Sequence, residues 1–344
     1  MKTITIVGGG LAGLTLGIAL RQQGVPVTVL EAGRYPRHRV CGEFISGRGQ
    51  QTLERLGLRE IFLRAGARPA LSAAFFSAKS GGPARELPTP ALCLSRYVMD
   101  DLLAGRFREL GGDLLENTRW PATELGEGLV RASGRRAQPS DQGWRWIGLK
   151  IHAHEVPQCA DLEIHLGRKG YVGLCQLGRG EVNICGLFRG EIEAGGPSQL
   201  RQQLLRGSEG SPLWQRLAAA TFVEGTFCAV AGLVLRPQRA QGRNECCIGD
   251  ALTMIPPVTG NGMSMAFESA ELAIEPLAAF ACGKASWKEA QCAVARRCDG
   301  MFARRLTWAS WLHRSLFVPE LQETLVRLVP RWTGLWRLLF ESTR

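Results

Sequence analysis

Three glycines, Gly8, Gly10 and Gly13, stand in the spacing G-x-G-x-x-G between an apolar run at residues 4–7 and an apolar stretch at 14–20 that stops at Gly24. A second apolar run, 25–30, ends on Glu31, with Ala32 after it. In a strand–turn–helix–strand setting each residue has a mechanical task. Gly8 allows the tight turn, Gly10 lets the backbone approach a pyrophosphate, and Gly13 lets helix and strand pack closely. Leu11 and Ala12 open the helix, whose N-terminus offers unpaired N–H groups and a partial positive charge to that pyrophosphate. Glu31 is placed to accept the hydroxyls of an adenosine ribose. An acid there disfavours a 2′-phosphate, so NAD or FAD is expected rather than NADP.

A second group of this kind comes roughly 240 residues later. The apolar residues 246–248 run into Gly249-Asp250, and a loop holding Pro257, Gly260, Gly262 and Met263 precedes a long apolar helix at about 264–282. Between the two groups lie weaker candidates. Cys41 and Gly42 follow a cation-rich stretch, Arg34 to Arg39, that could neutralise phosphates. Lys150, His152 and His154 alternate along one strand and share a face. Lys150 or His152 could relay a proton or orient a substrate, although an ordinary polar strand face explains them more simply. His-x-His can be half of a metal site, but no third ligand is evident nearby, so no metal is expected.

The elements that must position these residues follow from pattern and composition. With 344 residues, 45% hydrophobic and 21% charged, the chain can bury a sizeable core. Residues 51–58 read as a short helix and 71–76 as a strand. Ser95 reads as the N-cap of a helix with acids in its first turn and Leu103, Phe107 and Leu110 inward. From Trp144 strands take over, at 146–154, 162–166, 171–177 and 181–188, with Gly-rich connections at 167–170 and 178–180. A polar helical stretch, 198–219, and a strand at 227–235 follow, and the residues after 284 are helical. The FAD- or NAD-binding part is expected at 1–70, 91–140 and 240–285, a sheet-based substrate part at 71–90 and 141–239, and a helical segment at 286–344.

Eleven cysteines without CxxC or zinc-like spacing suit a reducing compartment. No apolar run reaches membrane-spanning length, and residues 1–20 read as strand–turn–helix rather than a signal peptide, so a cytoplasmic protein is expected. The net charge is +11, and residues 284–344 hold 11 Lys/Arg against 5 Asp/Glu. A solvated helix face explains this tail most simply, and no nucleic-acid partner is expected. With Trp308, Trp311, Trp332 and Trp336 interleaved, peripheral contact with a membrane is the alternative.

With Asp250 in place, the chain resembles FAD-dependent oxidoreductases of the aromatic-hydroxylase type, the group A flavin monooxygenases, and within them the geranylgeranyl-reductase-like and flavin-halogenase-like branch. The resemblance covers roughly residues 1–285. It rests on the glycine motif with Glu31, the stretch Pro36 to Gly42, Ser95-Arg96 before Asp100, and Gly249-Asp250 followed by Pro257, Gly260, Gly262 and Met263. It implies a mixed α/β (α+β) fold, a Rossmann-type FAD/NAD(P)-binding domain with an interleaved antiparallel β-sheet substrate domain and C-terminal helices. It also implies non-covalent FAD, with Glu31 at the adenosine ribose, Arg39 and Arg96 along ribose and pyrophosphate, and Asp250 at the ribityl or pyrophosphate region. The 257–263 loop would face the isoalloxazine, and Cys41 would pass near it.

Three departures narrow the reading. Ser133-Gly134 stands where the hydroxylases have Asp-Gly, which bears on how NAD(P)H would reduce the flavin. Tyr171 to Leu177 lacks the aromatic-x-Trp-x-Phe-Pro run of prenyl-lipid reductases. Trp144 to Gly148 only grazes the halogenase Trp-x-Trp-x-Ile-Pro. The function expected is an NAD(P)H-reduced monooxygenase using O2 on an aromatic or polyketide-like small molecule. The alternatives are a reductase or dehydrogenase acting on C=C bonds and, more remotely, a low-turnover FAD-binding partner protein.

Overall fold

Short apolar runs that are buried on both faces suit a parallel sheet, and four of them form one together with a more exposed edge strand. In the computed structural model the strands β1 (Ile4–Val7), β2 (Val27–Leu30), β6 (Asp113–Leu115), β7 (Leu129–Arg131) and β13 (Cys246–Cys247), numbered in chain order, run in the order β13-β7-β1-β2-β6. All their pairings are parallel. The structure describes every residue except 122–125, 136–137, 139–144, 191–200, 202–204, 206 and 208. Trp144 and eight of the 22 residues of the expected 198–219 helix therefore lie outside the described residues, and of the others the run 212–217 forms a short helix.

Helix α1 (Leu11–Gln22) buries residues 11–20 without interruption. Gly17 lets Phe107 of the later helix α4 (Arg96–Glu109) in close, since a Cβ there would sit 2.8 Å from its ring. Ser95 caps α4 by accepting a hydrogen bond from the Tyr97 N–H at 3.2 Å. The first turn of α4 holds no acid, contrary to expectation. Asp100 comes later and is fully buried.

The second sheet has eight strands. β3 (Phe44–Ile45), β4 (Arg68–Phe76) and β5 (Arg85–Cys93) join β8 (Trp146–His154), β9 (Leu162–Leu166), β10 (Gly170–Gln176), β11 (Val182–Arg189) and β12 (Thr221–Ala231) in the order β12-β8-β11-β10-β9-β4-β5-β3. Its pairings are antiparallel except that of β4 with β9. The meander from β8 to β11 follows the alternation in the sequence. β3, β5, β6 and β7 were not foreseen. β5 carries Pro88 and Pro90, which obscure a strand and are tolerated because β3 covers it only at Leu92 and Cys93. β12 starts earlier than expected, at Thr221, and its pairing with β8 shifts between Val223 and Cys228.

Helices α2 (Arg48–Arg55), α3 (Arg59–Arg64) and α5 (Pro212–Leu217) are short, and α6 (Gly262–Ala281) packs against α1. Three C-terminal helices, α7 (Trp287–Ser315), α8 (Pro319–Leu328) and α9 (Thr333–Ser342), close over the second sheet. Ser286 and Glu289 form a reciprocal capping box at the start of α7. Trp336 is buried and donates to the Glu86 carbonyl at 3.0 Å, whereas Trp311 and Trp332 are exposed. Among the described residues no helix is long and apolar enough to cross a membrane.

The roof is anchored by a buried bidentate ion pair, Arg305 of α7 to Glu268 of α6, at 2.8 and 2.9 Å. Glu268→Ala leaves an unpaired guanidinium in the interior and is expected to cost about 3–5 kcal/mol. Replacing both partners with methionine should recover most of that. Urea unfolding measures both, and a loss below about 1 kcal/mol in the single variant would show that the pair does not anchor α7.

Candidate functional site

The parallel sheet brings the two glycine-bearing turns together. Gly8 follows β1, Ala132 and Ser133 follow β7, and Gly249 lies just past β13, all at the carboxyl ends of neighbouring strands. Gly8 has φ +110°, and a Cβ there would lie 2.4 Å from the Ala132 carbonyl oxygen. One on Gly13 would lie 2.0 Å from the Gly8 oxygen, and one on Gly249, at φ +59°, 2.9 Å from the Ala12 methyl. Gly10 differs, because an added Cβ there would meet nothing within 4 Å. Three glycines are thus used for packing, and the fourth leaves an open cradle at the start of α1. The N-caps of α1 and α6, Gly10 and Asn261, make no side-chain capping bond, so both helices present uncapped N-termini to this region.

Beside the cradle, Glu31 is buried and heavily engaged. It accepts from the Gly9 N–H at 3.0 Å and the Gly33 N–H at 2.9 Å, and pairs with Arg37 at 2.5 Å and Arg39 at 3.4 Å. Tyr35 lies over Gly9 and donates to its carbonyl. Arg39 reaches on to Asp100 at 3.0 Å, and Arg96 grips the same carboxylate with two bonds of 2.8 Å. Arg96 therefore has a protein anion as its partner. Asp100 and Tyr35 were missed as site residues, because only the folded chain shows what Arg39 and Arg96 face.

Cys41 is held as the neutral thiol: burial raises its pKa, against a smaller pull from Arg96. A thiolate nucleophile would need the opposite shift. Its place in a cavity wall fits contact with a bound molecule instead. The expectation of a plain polar face for β8 is corrected. Lys150 and His152 are fully buried, and only His154 is exposed. Both contact the buried Glu43, His152 at 2.7 Å and Lys150 at 3.3 Å. The acid that makes this burial tolerable sits on a distant loop, so β8 alone gave no sign of it.

Val40, Cys41 and Gly42 line one side of a cavity, with Asp250, Pro257 and Gly260 at one edge. Gly262 and Met263 begin α6 directly behind that edge. Asp250 is exposed on the solvent side of this edge, so water offsets the rise in its carboxyl pKa from the surrounding packing, with Arg96 and Arg135 also pulling it back. Arg135 is, after Asp100 and Tyr35, a third residue the sequence did not single out. From this edge the cavity continues under the C-terminal helices as an apolar chamber walled by Phe75, Leu162, Ile164, Leu187, Leu316 and Trp336. Its floor is made of small residues, Gly148, Gly173 and Cys185. The interior space is about 240 Å³, far above the ~15 Å³ that one water needs on the same measure. The walls include no histidine, lysine or glutamate among the described residues.

Residues 1–143 match the family model described as an FAD binding domain. The chain is 33% identical over 121 residues to a 6-methylpretetramide 4-monooxygenase of Streptomyces rimosus, covering 34% of this chain and 27% of that one. It is 24% identical over 314 residues to a menaquinone reductase of Mycolicibacterium smegmatis, covering 79% of this chain and 75% of the relative. Of two other curated relatives the chain spans only 25% and 12% of the length. Among solved structures, the flavin-dependent brominase Bmp2 superposes with a TM-score of 0.75 at 19% identity, covering 98% of this chain and 94% of that chain. An FAD fits what the residues provide: an open cradle at Gly10, two uncapped helix N-termini, and a cavity running from Asp250 past the second of them. Residues 1–143 thus match an FAD binding domain, and nearly the whole chain shares the fold of flavin-dependent monooxygenases and halogenases.

Proposed function

We propose that the protein is an FAD-dependent monooxygenase that takes electrons from NAD(P)H and uses O2 to hydroxylate an aromatic or polyketide-like small molecule. The observation that carries this reading is the continuity of the cavity. It joins the edge formed by Asp250, Pro257 and Gly260 to a largely apolar chamber lined in part by the small residues Gly148, Gly173 and Cys185. Bound flavin would supply the oxygen-transfer chemistry, so the chain needs only to bind, orient and exclude water. A chamber without an acid–base pair suits that division.

In this reading Gly10, Leu11, Ala12 and Gly13 hold the pyrophosphate, with Gly8 shaping the turn. Glu31 and Ala32 flank the adenosine ribose. Arg39 and Arg96, fixed by Asp100, supply positive potential along ribose and pyrophosphate. Gly249 and Asp250 meet the ribityl region. Pro257, Gly260, Gly262 and Met263 bring the α6 N-terminus toward the flavin edge, where a helix dipole stabilises negative charge. Cys41 and Gly42 form the facing wall. A reductase acting on C=C bonds is the second reading, favoured by the length of the match to the menaquinone reductase.

Two measurements test this. Asp250→Ala is expected to lose most of its FAD while staying folded, and stoichiometric flavin in the purified variant would show that Asp250 has another role. Anaerobically reduced holoprotein mixed rapidly with O2 should pass through a transient absorbance that is neither oxidised nor reduced flavin. Direct, featureless return to the oxidised spectrum would favour the reductase. The same reading includes membrane contact. Trp311 on α7 and Trp332 just before α9 lie exposed, among the exposed Arg314, Arg331 and Arg337, and would let a lipophilic substrate enter from an anionic surface. Cosedimentation with anionic vesicles should then occur and be lost on changing both tryptophans to serine. Equal recovery with and without vesicles would remove this part.

A further inference from the structure

A buried carboxylate ties the cavity wall at residues 40–42 to the sheet behind it, and the function proposed above does not use it. Glu43 is fully buried and has φ +57°, a left-handed conformation that costs a glutamate more than a glycine. Its side chain explains its presence. One oxygen lies 2.7 Å from His152 Nε2, and the other lies 3.3 Å from Lys150 Nζ and accepts from the Arg96 N–H at 2.8 Å. The second ring nitrogen of His152 lies 2.9 Å from the partly exposed Glu181 carboxylate. Lys150 also meets His38 Nδ1 at 3.1 Å, and Asn183 Nδ2 donates to the Cys41 carbonyl at 2.9 Å. Three residues of β8 and β11 thus hold the segment from His38 to Glu43.

Two carboxylates can only accept, so one imidazole satisfies both at once only when each ring nitrogen carries a proton. Burial opposes the charged ring, but the bonds to Glu181 and Glu43 outweigh it and raise the pKa of His152, against a push from Lys150. Glu181 is lowered, chiefly by its bond to His152, with His154 and Lys150 adding to it. Burial and Lys150 push His38 down to about 4, so it stays neutral and can accept from Lys150. The thiols of Cys41, Cys185 and Cys228 are raised by burial, and that of Cys175, which touches the Glu43 carbonyl, is raised by its bond to Cys93 and by burial, so all four favour the protonated form.

We propose that Glu43 is a positioning residue for the flavin: through Lys150 and protonated His152 it fixes the 40–42 wall against the substrate sheet, and loss of the imidazole proton loosens that wall. This rests on the flavoprotein reading above. A raised histidine pKa sets the sign. The stabilisation is complete below the ordinary histidine value and is lost as pH rises through the raised one.

The test follows FAD release and the visible flavin spectrum of the holoprotein between about pH 6 and about pH 9. Wild type should hold FAD more tightly at the acid end, with a spectral change on crossing to the alkaline end. Glu43→Gln and His152→Gln should each weaken FAD roughly tenfold at the acid end, the loss expected for one charge-assisted hydrogen bond. Both should flatten the pH profile, and the double variant should be no worse than either alone. Glu43→Gly suits the backbone better but lacks the carboxylate, so it should fail in the same way. Wild-type affinity and pH profile in a folded Glu43→Gln, or in His152→Gln if the first does not fold, would overturn the inference. Wild-type protein that binds no FAD would instead overturn the flavoprotein reading, and this inference with it.

Discussion

The structure depends on one close approach, that of Gly249 to Ala12 across the carboxyl ends of the parallel strands. A side chain at 249 would collide with the first turn of α1, just as one at Gly8 would collide with the β7 turn and one at Gly13 with Gly8 itself. These contacts bring two uncapped helix starts, α1 and α6, to one region. Neither helix alone defines a site for an extended dinucleotide. In the function proposed above, one would face the pyrophosphate and the other the flavin edge, and much of the chain is arranged around the line between them.

Along that line runs the segment from Tyr35 to Glu43, and its two sides are gripped by different charge clusters. On one side Arg37 and Arg39 join Glu31, and Arg39 shares Asp100 with Arg96. On the other side Glu43 joins Lys150 and His152. The Arg96 backbone N–H donates to Glu43, so the two clusters meet at the start of α4. Burying charge is costly unless each charge is paired and hydrogen-bonded. Here every one of these ions has a partner, and the links from Arg39 to Asp100 and from Glu43 to Lys150 and His152 join elements far apart in sequence. The clusters therefore act less as a source of stability than as a specification of where this one loop must lie.

That division explains what could be read from the sequence. The glycine motif, the Glu31 strand end, the Gly249-Asp250 turn and the β8–β11 meander follow from local spacing and alternation, which report backbone geometry directly. β5 was hidden because Pro88 and Pro90 suppress the strand signal at an edge where they cost nothing. β3 and β6 are too short to show a period at all. Lys150 and His152 looked like a solvated face because alternation identifies faces without saying which is buried. Only Glu43, placed opposite them by the fold, reverses that reading. Asp100 is a similar case: it looked like a helix-start acid, and it is the buried counter-ion of Arg39 and Arg96.

The contrast between the charged frame and the apolar chamber bears on selectivity. The chamber presents aliphatic and aromatic walls over a floor of Gly148, Gly173 and Cys185, and its few polar groups lie mainly toward the Asp250 edge and the C-terminal residues Thr343 and Arg344. An apolar pocket separates molecules differing by one methylene by only about 1–3 kcal/mol, whereas a site built on buried hydrogen bonds discriminates far more sharply. In the function proposed above shape would do much of the selecting, beside the buried Tyr171 hydroxyl, which lines the chamber without a protein partner among the described residues. The glycine at 173 has room for a side chain, because a Cβ there would make only ordinary contacts with Ile164 and the Cys185 carbonyl, at 3.5 and 3.6 Å. The floor at that point is thus open because no side chain fills it, and its depth is free to vary without disturbing either the sheet or the charged loop that faces it.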